Sequence, residues 1–267
     1  MKFRFLFIVF NVVILASFML IFLMPALVLG WEYTSVFWRS NWPVGLVFLV
    51  VLAGLNAYFV YNWKVFRLLE SEEWDALIDY LERETYERKR VTRQRARILI
   101  NAYVVTGRID GIARLESFVR EVTPRLVPKL AVELGIPHLL SNDGERMAAY
   151  FGDVKDARGL VQPLWVRWCY AFALMSQTRF EEARGELSAL LQETKDPLLG
   201  ALTAHMLEPF GSQNEQTAQL VSEARAELRS RYTPSRLDRE LERQKHRLQV
   251  LFLSSRIEEA RDWVFRS

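Results

Sequence analysis

The segment RFEEAR at residues 179–184 returns as RIEEAR at residues 256–261, with five identities in six positions at a separation of 77 residues. This separation is about two periods of a repeating unit of about 34 to 40 residues. Beside each copy a hydroxyl residue lies three positions before a glutamate, as in a capping box at a helix start. The pairs are Thr178 with Glu181 and Ser255 with Glu258. We therefore predict that each copy begins a helix directly after a tight turn.

The whole sequence after residue 63 has the periodicity of helices. Apolar residues recur there at spacings of three and four, without the alternating runs typical of strands and without an Asn-Gly hairpin turn. The pattern predicts an all-α domain at residues 64–267.

This domain resembles the tetratricopeptide repeat, whose two helices per unit interlock through small and large apolar residues. The resemblance is carried by apolar positions in three copies. The central copy has Tyr170, Ala171, Leu174, Phe180, Ala183 and Leu187, the last has Leu248, Leu251, Ile257, Ala260 and Val264, and an earlier one has Leu99, Tyr103, Gly107 and Pro124. The resemblance implies a degenerate solenoid of stacked helix pairs.

Residues 1–63 have the composition of a membrane anchor. The charged residues in this part are Lys2, Arg4, Glu32 and Arg39. They leave two uncharged runs, at residues 5–29 and 42–63. About 20 apolar residues suffice to cross the hydrocarbon core, so we predict two transmembrane helices. A cleaved signal peptide is the alternative for the first run, although the apolar core of such a peptide normally spans only about 7 to 15 residues.

The basic residues around these runs predict the orientation of the anchor. Lys2 and Arg4 precede the first run, Lys64 and Arg67 follow the second, and basic flanks stay on the cytoplasmic side. We therefore expect an integral protein of a bacterial inner membrane, with both chain ends in the cytoplasm and a short outer loop at residues 30–41.

Small and polar residues in the second run predict how the two helices meet. Ala53 and Ala57 form a small-xxx-small pair, which favours close approach of helices. We expect Asn56 to form a hydrogen bond between the helices, because one amide without an ionisable partner makes no transport pathway.

No motif of a catalytic or metal site occurs in the sequence. His138, His205 and His246 are far apart, and there is no P-loop, dinucleotide-binding glycine motif or nucleophile elbow. The single cysteine, Cys169, lies between two aromatic residues, where we expect a packed thiol rather than a nucleophile. We therefore expect no catalytic residue, no metal and no cofactor.

Six basic residues form an arginine cluster: Arg88, Lys89, Arg90, Arg93, Arg95 and Arg97. Arg90, Arg93 and Arg97 share one helical stripe, and such a stripe near a membrane attracts anionic lipid. The alternative is a solvated face paired with nearby glutamates. The tetratricopeptide resemblance implies a further role, since Arg97 and Asn101 match two positions that some of these domains use to bind a peptide carboxylate.

Trp165, Trp168 and Phe172 are spaced i, i+3 and i+7 on one predicted helix. In the repeat these positions line the concave surface, where aromatic anchors dominate protein–protein affinity. We therefore predict a partner-binding patch at these three residues. The alternative is that they pack against the adjacent repeat.

These features favour a membrane-anchored scaffold that recruits partner proteins over an enzyme. The net charge of +3 divides into +2 in the anchor and +1 in the domain, so we expect no nucleic-acid partner. The alternatives are a lipid-binding adaptor that uses the arginine cluster, and an enzyme or regulator whose site is assembled from scattered residues.

Overall fold

The computed structural model describes residues 2–141 and 143–266 of the chain. These residues form helices and no strands, which confirms the predicted all-α class. The chain divides into two compact units, Met1–Leu77 and Ile78–Ser267.

The first unit is an antiparallel hairpin of helices α1 (Lys2–Leu29) and α2 (Trp31–Glu70). Gly30 joins them with a φ of 84°, a left-handed conformation that glycine adopts at little cost. Along the hairpin the rings of Phe18 and Phe48 stack with their centroids 4.2 Å apart. Aromatic packing therefore holds the two helices side by side.

Both helices of the hairpin are long and apolar enough to cross a membrane. The apolar spans are Phe7–Met24, with a mean hydropathy of 2.8, and Thr34–Glu70, with a mean hydropathy of 2.1. Only 6% of each span is buried within the protein, so most of these side chains face outward. The predicted orientation depends on Lys2 and Arg4. The side chains of these two residues lie outside the part of the chain that the structure describes.

The structure corrects the predicted outer loop. Residues 30–41 were expected to form a loop, but α2 already begins at Trp31. Gly30 alone supplies the left-handed residue of the connection, and no other glycine or proline occurs before Pro43 to interrupt the helix.

The structure also settles which side of α2 meets α1. Asn56 donates a hydrogen bond to Asn11, which confirms the interhelical role predicted for Asn56. Ala53 and Ala57 are exposed, so the expectation that they bring α1 and α2 together is wrong. The larger side chains of Leu52 and Phe48 lie on the α1 side instead.

The second unit is a series of shorter helices, which begins within α3. They are α3 (Trp74–Glu82), α4 (Arg93–Val105), α5 (Ile109–Val122), α6 (Ala131–Leu134), α7 (Ile136–Leu140), α8 (Gly144–Val154), α9 (Pro163–Ser176), α10 (Phe180–Glu193), α11 (Pro197–Gly211), α12 (Glu215–Arg231), α13 (Pro234–Gln244), α14 (Leu248–Phe252) and α15 (Ser254–Phe265). A π-helical turn, Arg83–Glu87, follows α3, and a 3₁₀ turn, Pro124–Leu126, follows α5.

Two consecutive helix pairs, α9–α10 and α11–α12, have nearly the same spacing. Helix α11 begins at Pro197, 34 residues after α9 begins at Pro163. Helix α12 begins at Glu215, 35 residues after α10 begins at Phe180. Proline at the first position of α9, α11 and α13 favours each start, because the first N–H of a helix needs no intrahelical partner.

The predicted capping boxes do not form in the described structure, although helices begin near both copies. Helix α10 begins after Arg179, because Thr178 ends the preceding turn in a left-handed conformation with a φ of 60°. The Thr178 hydroxyl donates to the carbonyl oxygen of Gln177 rather than capping α10. Ser255 lies inside α15, which begins at Ser254.

Most apolar positions assigned to the repeat lie in the core. Ala183 and Ala260, assigned to close helix crossings, are both fully buried. Phe180 and Leu251 were also assigned to packing, but their side chains are 47% and 44% exposed. The last copy also differs in shape, since α14 spans only five residues and α15 packs against α11, α12 and α13.

Candidate functional site

The arginines of α4 lie next to a buried carboxylate of α6. Arg97 Nε is 3.3 Å from Glu133 Oε1, and Glu133 is buried whereas Arg97 is largely exposed. Burial raises the pKa of Glu133, while the nearby charges of Arg97 and Arg93 act in the opposite direction. Arg93 Nε is buried and has no hydrogen-bond partner among the described residues. Arg97 therefore forms an ion pair with Glu133, and Arg93 adds a second positive charge near the same carboxylate.

The same face of α4 carries Asn101, one turn after Arg97. The Asn101 side chain is exposed. Arg97 and Asn101, which the resemblance assigned to a peptide carboxylate, are thus both accessible. Arg97 pairs with Glu133 and Arg93 lies near that carboxylate, so the predicted lipid-binding stripe is divided, with Arg90 outside this region.

The aromatic residues of α9 form a contiguous row that is mostly buried. Trp165 is 4% exposed and Trp168 is fully buried, whereas Phe172 is half-buried. The rings of Trp168 and Phe172 stack with centroids 5.5 Å apart, and Trp165 meets Trp168 edge-on at 6.4 Å. The expectation of an accessible patch is therefore wrong for both tryptophans.

The C-terminal segment contributes to this burial. Gln249 of α14 donates a hydrogen bond to Gln162, just before α9. The guanidinium of Arg256, in α15, lies 4.9 Å from the ring centroid of Phe172. These contacts occupy both ends of the aromatic row. The sequence spacing predicted that the three rings share one face of α9. In the structure, other parts of the same chain cover much of that face.

Two arginines of α12 hold the end of α15 in place. Arg225 donates to the carbonyl oxygen of Trp263 at 2.7 Å, and Arg229 Nε donates to that of Val264 at 2.5 Å. The last carbonyl groups of a helix have no intrahelical donors, so these bonds act as a tertiary C-cap. The C-terminal helix is thereby fixed to α12.

The residues with potential chemistry have structural partners. Burial raises the pKa of the Cys169 thiol, which disfavours the nucleophilic thiolate. His138 Nε2 lies 2.8 Å from Glu116 Oε2, and its ring stacks on Tyr150. The described residues contain no group of three or more His, Cys, Asp or Glu side chains that could hold a metal ion.

The sequence analysis missed an aromatic pair in which Phe180 is exposed and Phe210 is half-buried. The rings of Phe180, at the start of α10, and Phe210, near the end of α11, lie 6.2 Å apart. The tetratricopeptide resemblance assigned both Phe180 and Ala183 to packing positions, and of the two only Ala183 is buried. Phe180 and Ala183 differ in their position along α10. A residue in the first turn after a tight connection has fewer neighbours than a residue in the middle of a helix.

Comparisons with known proteins place the chain in a family. The family model described as "Uncharacterised Treponema protein" matches residues 111–266. A protein of Treponema pallidum (strain Nichols), named "Uncharacterized protein", is 30% identical over 281 residues, which cover 99% of this chain and 88% of that relative. No solved structure matches the chain. Because the family model covers more than half of the chain and the relative aligns along nearly all of it, the chain belongs to the family described as "Uncharacterised Treponema protein".

Proposed function

We propose that this chain is a membrane-anchored, non-enzymatic scaffold that recruits or assembles partner proteins at the cytoplasmic face of a bacterial inner membrane. In this proposal α1 and α2 cross the membrane, and residues 64–267 form a solenoid similar to the tetratricopeptide repeat. Repeated helix pairs offer extended surfaces to other proteins. The observation that carries the proposal is the spacing of α9–α10 and α11–α12, at 34 and 35 residues, in a chain that also has two outward-facing apolar helices.

The proposed partner surface is the exposed face of α4 at Arg97 and Asn101. Arg97 forms an ion pair with Glu133 and Arg93 adds a second positive charge nearby, so this face can attract a partner carboxylate. A guanidinium binds a carboxylate with paired N–H donors, and the Asn101 amide adds a donor one turn away. This surface replaces the tryptophans of α9, which are buried.

Crosslinking in native membranes followed by mass spectrometry tests the scaffold. We expect protein partners in amounts comparable to the chain itself, and we expect Asn101→Glu, which places a negative charge beside the bound carboxylate, to reduce them. Arg158→Glu is the matched control, since Arg158 is exposed in the connection between α8 and α9. A chain that crosslinks to no protein in stoichiometric amounts is not a scaffold, and an equal effect of both variants would remove α4 as the partner surface.

Cysteine labelling in intact cells tests the anchor separately. In a Cys169→Ala background, Ser40→Cys should react with an impermeant reagent from outside, whereas Arg158→Cys should react only after lysis. Both positions are exposed. The reverse pattern would invert the orientation, and labelling of both from outside would exclude a cytoplasmic domain.

A further inference from the structure

A short loop between the π-helical turn and α4 carries three consecutive cations. Arg88, Lys89 and Arg90 are all exposed, and the Arg88 side chain keeps 64% of its accessible surface. We call residues 88–90 the cationic loop. Its nearest exposed carboxylate along the chain is Glu87.

The cationic loop is hydrogen-bonded to Glu84 at both of its ends. The buried Glu84 carboxylate accepts hydrogen bonds from Arg88 at 2.6 Å and from the buried Arg95 at 3.1 Å. The carbonyl oxygen of Glu84 accepts from the backbone N–H of Arg90 at 3.1 Å. Lys89 has a φ of 51°, a left-handed conformation that is unfavourable for a residue with a side chain. A rigid loop presents its charges without a large loss of conformational entropy on binding.

Two of the three charges of this loop, those of Lys89 and Arg90, are separate from the ion pairs of the domain. Arg88 shares the Glu84 carboxylate with Arg95, and Lys89 and Arg90 have no carboxylate partner among the described residues. Arg97, which follows on α4, pairs with Glu133, and Arg93 lies near the same carboxylate. The structure thus divides the arginine cluster into an inward part on α4 and an outward part in the loop.

The loop is also close to the hydrophobic helices along the chain. Lys64 is the first charged residue after the uncharged run at residues 42–63, and Lys89 follows it by 25 residues. At about 1.5 Å per helical residue, the part of α2 after Lys64 extends about 10 Å, and α3 with its π-helical turn extends about 21 Å. The loop is therefore separated from the uncharged run only by short helical segments.

We propose that the cationic loop binds the headgroups of anionic phospholipids in the membrane that α1 and α2 span. The proposal rests on the membrane anchoring proposed above. Anionic lipid attracts juxtamembrane cations, and the attraction decays over about 8 Å at physiological ionic strength. The lipid contact orients the domain at the membrane surface through Lys89 and Arg90, while Arg97 and Asn101 remain available to a protein partner.

The test uses the full chain in lipid nanodiscs, with a fluorophore on Glu87→Cys in a Cys169→Ala background. One set of discs contains only neutral phosphatidylcholine, and the other also contains phosphatidylglycerol, each with a headgroup-attached quencher. We expect stronger quenching in the anionic discs, and loss of the difference at about 0.5 M salt, where the screening length falls to about 4 Å. Lys89→Gln with Arg90→Gln should reduce the lipid-dependent association by about fivefold for each charge removed.

The matched control is Arg236→Gln with Arg239→Gln, which removes two exposed charges from α13 and should leave the quenching unchanged. Equal quenching in neutral and anionic discs overturns the lipid contact, as does an unchanged signal in the loop variant. Equal losses in the loop and α13 variants show an effect of net charge and also overturn it. Failure of the chain to enter any disc overturns the anchoring, whereas normal partner crosslinking by the loop variant shows that the scaffold stands without the lipid contact.

Discussion

Asn56 Nδ2 donates a hydrogen bond to Asn11 Oδ1 at 2.8 Å, and this bond joins α2 to α1 across 45 residues of sequence. Both amides also donate to carbonyl oxygens of their own helices, Asn11 to Phe7 and Asn56 to Leu52. In a hydrocarbon surrounding, a polar side chain without a partner is costly, so the two asparagines satisfy each other.

We predict that this pair stabilises the hairpin by about 0.6 to 1.7 kcal/mol, the range found for hydrogen bonds between membrane helices. A double-mutant cycle with Asn11→Leu and Asn56→Leu measures the coupling from the reversible unfolding of the full chain in lipid. Asn62→Leu is the control, because Asn62 is half-buried and donates to the carbonyl oxygen of Tyr58 within its own helix. Additive effects of the two leucine variants would show that the pair contributes nothing beyond its separate bonds.

The aromatic row of α9 gives a second prediction. Trp168→Ala should lower the stability of the chain by about 3 to 5 kcal/mol, because it leaves a large cavity where the ring is fully buried. Thermal unfolding followed by circular dichroism measures the change. Phe180→Ala, which removes a half-exposed ring, should cost much less. Similar losses in the two variants would mean that Trp168 is not part of the packed core in solution.

The fold class was predictable because helical periodicity is local. The spacing of apolar residues identified α9 and α10, and Ala183 is buried as the interlocking of two helices requires. The ends of the helices were less predictable. Threonine is a residue type that often caps a helix, but the conformation of Thr178 depends on the turn that ends α9. In that turn the backbone N–H of Arg179 donates to the carbonyl oxygen of Leu174.

The candidate sites depended on contacts between distant parts of the chain, which the pattern of one helix does not contain. The spacing of Arg93 and Arg97 identified their stripe on α4. Their shared neighbour Glu133 lies in a helix of four residues, which is too short to show a periodic pattern. The spacing of Trp165 and Trp168 likewise showed that they share a face, and only the three-dimensional packing shows that this face is covered.

The turns between paired helices give a third prediction. Thr178 has a φ of 60°, which is strained for a β-branched residue, and Gly107 has a φ of 71° in the turn between α4 and α5. Thr178→Gly should therefore raise the free energy of unfolding by about 1 kcal/mol, and Gly107→Ala should lower it by a similar amount.

Chemical denaturation of the two variants measures both changes. A Cβ at Gly107 would meet no described atom within 4 Å, so the effect there comes from the backbone alone. A loss of stability in Thr178→Gly would indicate that the hydroxyl bond to Gln177 outweighs the strain.

The pH dependence of stability gives the last prediction, at Glu116. Burial alone would raise the pKa of this carboxyl, but hydrogen bonds from His138 and Arg120 outweigh burial and hold the pKa below its ordinary value. A lowered pKa in the folded state contributes stability above the unfolded-state pKa of about 4.3, and this contribution is lost as the pH falls through the folded-state value.

Glu116→Gln should therefore destabilise the chain at neutral pH, and the difference from the wild type should shrink as the pH falls below about 4. Denaturant unfolding at a series of pH values measures this difference. Glu121→Gln, an exposed position on the same helix, should change stability little at any pH. Since the Glu116 carboxylate accepts from Arg120 Nε at 2.8 Å and lies 2.8 Å from His138 Nε2, a pH-independent cost of Glu116→Gln would mean that packing, rather than the ionised carboxylate, holds α5 against α7.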